Sequence, residues 1–206
     1  MNNLKIQEHK NYIKVDLKKN IIQLTKKENP ESILSKLSSN IIDKYIDIAV
    51  KSEKIHLFTC SLNEEIIGYA ILSDKPKYLT SEFSRLKNDI LINLLLKLKF
   101  FTIVDIIFSL LKIDIFNIKN SDLNILNENT NLNLIAIKRN FRSQGNGKFF
   151  LESIINTFKN KNFSEYLCCE TFSKNAENFY IKKLNFVLIG KKIRTTGILN
   201  VLKKKL

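Results

Sequence analysis

Two of the chain's five glycines, Gly145 and Gly147, stand two residues apart between an apolar run and a helical pattern. In a sequence this poor in turn residues, such a pair marks a place where the backbone must do something side chains would prevent. Residues 132–137 form a short, largely apolar run that reads as a central strand. From residue 149 to 158, Phe150, Leu151, Ile154, Ile155 and Phe158 recur on one helical face. A sharp turn from strand into helix brings backbone N–H groups together where the positive end of the helix dipole adds to them. That arrangement suits a diphosphate, and Arg142 and Lys148 flank it with positive charge. Arg142, Ser143, Gln144, Gly145, Asn146, Gly147 and Lys148 are therefore a candidate phosphate cradle. The cradle is not a P-loop, because Lys148 is followed by Phe149 instead of Ser or Thr. Nor is it a dinucleotide fingerprint, since Phe150 stands where a third glycine would be needed.

The rest of the chain supplies the elements around that turn. Residues 12–24 alternate loosely (Ile13, Val15, Leu17, then Ile21, Ile22, Leu24), and this spacing predicts a first strand. Pro30, Glu31 and Ser32 open a helix over residues 33–50, with a break near Ser38, Ser39 and Asn40. Residues 56–62 and 66–72 read as a hairpin with a polar tip. From Phe83 to Phe116 the chain is mostly apolar, yet Asn93, Lys97, Thr102, Asp105, Ser109 and Lys112 recur three to five residues apart. That stripe predicts a helical insert over about residues 80–118, divided near residues 97–102, and its charges argue against a membrane-spanning segment. The Asn-rich stretch 122–131 reads as a loop. After the cradle come a strand at 166–171, a helix at 174–184, and strands at 186–189 and 198–202. The pattern is α/β in a single domain, residues 1–206.

Composition narrows the partners less than it first suggests. The formal charge is +14, but lysines are spread along the chain, with dense runs only at residues 191–194 and 203–205. A nucleic-acid protein concentrates its basic residues on one face and interleaves aromatics for stacking. A generally basic surface is the simpler reading, and no nucleic-acid partner is expected. The apolar insert leaves room for peripheral contact with a membrane surface. Cys60, Cys168 and Cys169 are too few for a disulfide framework and suit a reducing compartment. Residues 1–10 lack the apolar core of a signal peptide, so a cytoplasmic location is expected. His9 and His56 have no partners at metal or triad spacing, and no metal site is expected.

Two segments together resemble a known family. Leu134-Ile135-Ala136-Ile137 followed by Arg142-x-x-Gly145-x-Gly147 resembles the Arg/Gln-x-x-Gly-x-Gly/Ala motif of the GNAT superfamily of acetyl-CoA-dependent N-acetyltransferases. Downstream, Asn175-Ala176-Glu177-Asn178-Phe179-Tyr180-Ile181-Lys182-Lys183-Leu184-Asn185-Phe186 is similar to that family's Asn-x-x-Ala-x-x-Phe-Tyr-x-Lys-x-Gly-Phe segment, slightly compressed. The likeness is specific over residues 132–202; the earlier elements agree in type only. It implies a mixed, mostly antiparallel central sheet flanked by helices and splayed at the cofactor strand. It also implies that main-chain groups of Ile135, Ala136 and Ile137 meet the pantetheine arm of acetyl-CoA like an added strand. N–H groups from Arg142 to Lys148 would hold the pyrophosphate, Asn175 would meet the pantetheine, and Tyr180 would protonate the departing thiolate. Asn185 stands where relatives have glycine, and asparagine tolerates the left-handed backbone such a turn needs.

A primary amine acceptor must shed a proton, and here the sequence departs from the family. Many relatives carry a carboxylate on the strand before the cradle, where this chain has Asn131 and Asn133. Glu170, on the following strand, is the local substitute; a salt-bridged strand residue is the equal alternative. The insert resembles acceptor-side elaborations in members associated with glycan synthesis. That makes an amino sugar or other amine-bearing small molecule the expected acceptor, with a protein acceptor and a homodimer also compatible. Two rival readings remain open: a non-catalytic acyl-CoA-binding module, and a basic protein of nucleic-acid or membrane surfaces.

Overall fold

The computed structural model describes residues 4–30, 32–96, 104, 115–161, 164–194 and 197–206. Its elements, in chain order, are β1 (Leu4–His9), α1 (Val15–Glu28), α2 (Ile33–Lys36), α3 (Ser39–Lys51), β2 (Ile55–Leu62), β3 (Glu65–Ser73), α4 (Pro76–Phe83), α5 (Lys87–Leu96), β4 (Ile115–Ile118), α6 (Asn120–Glu128), β5 (Thr130–Ile137), α7 (Asn146–Lys161), β6 (Tyr166–Thr171), α8 (Lys174–Leu184), β7 (Val187–Arg194) and β8 (Gly197–Lys205). The strands make one eight-stranded sheet in the order β1-β2-β3-β5-β6-β8-β7-β4. Every neighbouring pair is antiparallel except β5 and β6, which run parallel.

Strand alternation divides the interior into two faces. On one, Ile21, Leu24, Ile42, Ile46, Ala49 and Phe83 of α1, α3 and α4 pack on Leu57, Tyr69, Ile71 and Ala136. Phe83 stacks on Tyr45 with ring centres 3.7 Å apart, which seats the start of the predicted insert against the core. On the other face Phe150, Ile154, Phe158, Tyr180 and Leu184 of α7 and α8 cover Phe58, Ala70, Leu132, Cys169 and Leu202.

Three sequence-based expectations are overturned. Residues 12–24 are not a strand; helix α1 runs from Val15 to Glu28, and the first strand is β1. Val15 lies 63 % exposed while Ile21, Leu24 and Thr25 are buried, a helical spacing that overrides the short alternation before it. Asp16 in the first turn and Lys26 and Lys27 in the last suit the helix dipole. The Asn-rich stretch is mostly helix α6, because Leu126 is buried beside Cys168 and Val201 and this anchor outweighs the poor helix propensity of asparagine. The insert does not stay helical to Phe116: residues 115–118 form β4, an edge strand on β7. The break expected at residues 97–102 lies outside the described residues. The expected break near Ser38 is present, with the Ser38 hydroxyl accepting from Ile41 N–H as the cap of α3.

His56 is held between two carboxylates. Its ring nitrogens meet Glu8 Oε1 at 2.7 Å and Asp74 Oδ1 at 2.9 Å, joining β1, β2 and the end of β3. Burial disfavours the charged ring, but the two carboxylates outweigh it and raise the His56 pKa; the hydrogen bond from His56 lowers that of Glu8 to about 2.

Candidate functional site

The site begins with a fault in the sheet. Ile71 pairs with Leu134 and Leu72 with Leu132, so Asn133 is an extra residue on β5, a β-bulge. β5 pairs with β6 only from Thr130 to Leu132. Beyond the bulge the two parallel strands part, and among the described residues no strand lies beside the β6-facing edge of residues 133–137. Leu134 and Ile135 are correspondingly half-buried. Gly68, directly opposite Ile137, lets β3 hold this part of β5 closely: a Cβ there would lie 2.4 Å from Ile137 Cδ1 and 2.7 Å from the Ala136 carbonyl oxygen.

Past β5 the chain turns through a single 3₁₀ turn into α7. Ser143 (φ 63°) and Gly145 (φ 83°) both adopt left-handed backbone, which curls successive N–H groups inward. Phe149 N–H donates to the Gly145 carbonyl (3.0 Å) as the helix begins. The first-turn N–H groups before it have no helical acceptor by geometry. A Cβ on Gly145 would meet no atom within 4 Å, so open space lies over the turn. Gly147 backs onto Phe179 of α8, whose ring lies 3.6 Å from where a Cβ would stand. Asn146 is buried and its side-chain amide donates to the Phe141 carbonyl (3.0 Å), fixing the turn from beneath. Exposed N–H groups around open space at a helix N-terminus fit a diphosphate.

Arg142 does not aim at that space. Its Nε donates to the Ile137 carbonyl (2.8 Å), and its Nη2 donates to the Glu28 carbonyl (3.1 Å) and to Glu28 Oε2 (2.9 Å). The Glu28 side chain is 5 % exposed. Arg142 thus braces the end of β5 and the turn against the C-terminus of α1. Lys148 lies 3.7 Å from Glu152 one helical turn away, with both half exposed.

On the α7–α8 face, Tyr180 is buried among Phe179, Phe186 and Cys169. Burial raises its pKa well above the ordinary tyrosine value, so the phenol stays protonated. Thr130 Oγ1 is the single fully buried side-chain oxygen or nitrogen without a partner among the described residues, and Tyr180 as a whole is 5 % exposed. Asn175, at the start of α8, is exposed. The turn after α8 uses Asn185 in left-handed backbone (φ 57°, ψ 40°), as its place in the sequence suggests.

Glu170 lies on the opposite face. It follows Cys169, the last β6 residue paired with β5, and alternation turns it to the side of Cys168 and Val201. Its carboxylate receives the Lys192 ammonium of β7 at 2.5 Å. Asn131 and Asn133, where a carboxylate was sought, donate their amides inward: Asn131 to the Leu126 and Asn129 carbonyls, Asn133 to Ser73 Oγ. Glu177, which sequence reasoning passed over, is buried one turn before Tyr180 and accepts from Lys174 and Asn200 at 2.9 Å each. The i,i+3 spacing to Tyr180 was a signal that could have found it.

The overall arrangement of sheet and helices has counterparts of known structure. An acetyltransferase of the GNAT family from Streptococcus pneumoniae matches 99 % of this chain and 100 % of its own at 12 % identity and a TM-score of 0.54. The chain has the GNAT fold. A GNAT family acetyltransferase from Elizabethkingia anophelis with acetyl-CoA bound matches over 99 % of both chains at 16 % identity and a TM-score of 0.50. A polyamine N-acetyltransferase from Drosophila melanogaster, which catalyses the formation of N-acetylagmatine, matches over 98 % of this chain and 100 % of its own, at 10 % identity and a TM-score of 0.57. No protein-family model and no curated protein matches the sequence. Among the described residues, no helix is long and apolar enough to cross a membrane.

Proposed function

We propose that the chain is a single-domain, acetyl-CoA-dependent N-acetyltransferase that passes the acetyl group directly to a primary amine. The observation that carries this reading is the bulge at Asn133, which parts β5 from β6 immediately in front of the cradle. A slot through the sheet, with phosphate-binding N–H groups at its mouth, admits a thioester from one side and an amine from the other. The GNAT fold and the acetyl-CoA held by the Elizabethkingia protein support the choice of donor.

Each residue then has a task. The free edge at Ile135, Ala136 and Ile137 receives the amide groups of the pantetheine as a neighbouring strand would. Ser143, Gln144, Gly145, Asn146, Gly147 and Lys148 offer main-chain N–H groups to the pyrophosphate, while Arg142 keeps that loop in place. Asn175, exposed at the start of α8, is free to meet the pantetheine. Glu170 accepts a proton from the acceptor ammonium. The neutral amine attacks the thioester carbon, the C–S bond breaks, and Tyr180 protonates the leaving sulfur. Tyr180 and Glu170 stand on opposite faces of the sheet at the slot, as transfer through it requires.

An amino sugar or other small amine fits the acceptor side; a polyamine is the acceptor class of the Drosophila relative. Calorimetry with acetyl-CoA, then thiol release with amino sugars, polyamines and peptides, tests the proposal. Micromolar binding with release by one amine class is the expected result; absence of binding overturns it. A second reading, a non-catalytic acyl-CoA module, is favoured by the inward-bonded Asn131 and Asn133 and by the ion pair on Glu170. Binding without thiol release from any amine would select it.

A further inference from the structure

The carboxylate assigned to deprotonate an acceptor already has an amine against it. Lys192 Nζ lies 2.5 Å from Glu170 Oε1, with 12 % of the lysine and 29 % of the glutamate side chain exposed. Lys192 is flanked on both sides, pairing with Leu199 of β8 and Phe116 of β4. Its side chain therefore reaches over β8 to β6, to the first residue past the point where β5 and β6 part. The ammonium stands on the face from which an acceptor would enter.

We infer that Lys192 is an acetylation site modified in cis, with Glu170 as its base. The inference rests on the reading of the chain as an acetyltransferase. Of the three ammonium protons one stays on the new amide and one passes to Glu170 and on to solvent. The last balances the coenzyme A thiol, which Tyr180 protonates before recovering a proton from solvent. The nitrogen–carbonyl bond forms as the C–S bond breaks, and the products are Nζ-acetyl-Lys192 and free coenzyme A. Acetylation removes the positive charge that holds Glu170, and so releases the carboxylate for an external amine.

Exposure separates this reaction from chemical acetylation. Acetyl-CoA in solution modifies lysines in order of access, which favours Lys174 (76 % exposed) and Lys148 (48 %) over Lys192. The intact protein is incubated with isotope-labelled acetyl-CoA and its peptides followed by mass spectrometry over time. Lys192 is expected to gain label at least about tenfold faster than Lys174, at a rate independent of protein concentration. Glu170→Gln should slow Lys192 by about tenfold or more and leave Lys174 unchanged, and Gly147→Trp should remove the excess. Label on Lys174 ahead of Lys192 overturns the inference. If amines release coenzyme A while Lys192 stays unlabelled, the inference fails and the acetyltransferase reading stands; if acetyl-CoA does not bind, both fall.

Discussion

In the proposed site, the donor side and the acceptor side of the slot are built from different materials. On the donor side the working groups are backbone: the free edge of β5, the left-handed Ser143 and Gly145, and the N-terminus of α7. Side chains there act as braces, Arg142 to Glu28 and Asn146 to the Phe141 carbonyl. On the acceptor side the working groups are side chains from two strands, Glu170 and Lys192, paired with each other. A site made of backbone depends on a few residues that keep space open. A site made of side chains depends on partners distant in sequence, and can be retuned one residue at a time.

That contrast predicts a graded series of effects. Gly145→Trp should abolish acetyl-CoA binding by calorimetry, because the indole would occupy the open space over the turn, and Gly147→Trp should do so by driving the indole against Phe179 and Ile137 and displacing the cradle; retained affinity would place the phosphates elsewhere. Tyr180→Phe should lower kcat by about a hundredfold with acetyl-CoA affinity kept. A fully active variant would strip Tyr180 of its role as acid. Gly68→Ala forces a methyl group against Ile137 and the Ala136 backbone. It should cost about 1–3 kcal/mol, seen as a lower melting temperature, and weaken acetyl-CoA as β5 is pushed away. A lower melting temperature with unchanged affinity would show that the free edge tolerates displacement. The smallest effect is expected at the brace: Arg142→Ala and Glu28→Gln should each weaken acetyl-CoA, with a coupling of about 1 kcal/mol in a double-mutant cycle. If Arg142 is instead a phosphate ligand held in reserve, Glu28→Gln frees it and tightens binding.

The same contrast explains what could be read before any coordinates. Cradle and α8 are local: Gly145, Gly147, Asn175 and Tyr180 lie on contiguous segments whose spacing reports their geometry. The bulge at Asn133 left no local mark, since it consists in a pairing with β3. Gly68 did leave one, as a glycine inside a strand often marks a close backbone approach. Glu28 and Lys192 act through partners 114 and 22 residues away, and spacing carries no such information. The errors in the fold have the same origin. α1 and α6 contain short misleading patterns, and burial of Ile21, Leu24 and Leu126 against strands distant in sequence decided them.

Asn133 also sets the parity of everything after it. Leu132 faces α7 and α8; two residues on, Leu134 faces α1 and α3, where an unbroken strand would have returned to the first side. Odd positions serve one helical layer before the extra residue and the other layer after it. Removing Asn133 alone would make Leu132 and Leu134 ordinary neighbours on opposite faces, keep Ile135, Ala136 and Ile137 in their layers, and close the bulge at which β5 parts from β6. The extra residue is thus absorbed without displacing a side chain from its layer, and what its removal would forfeit is the opening of the sheet, not the packing of the core.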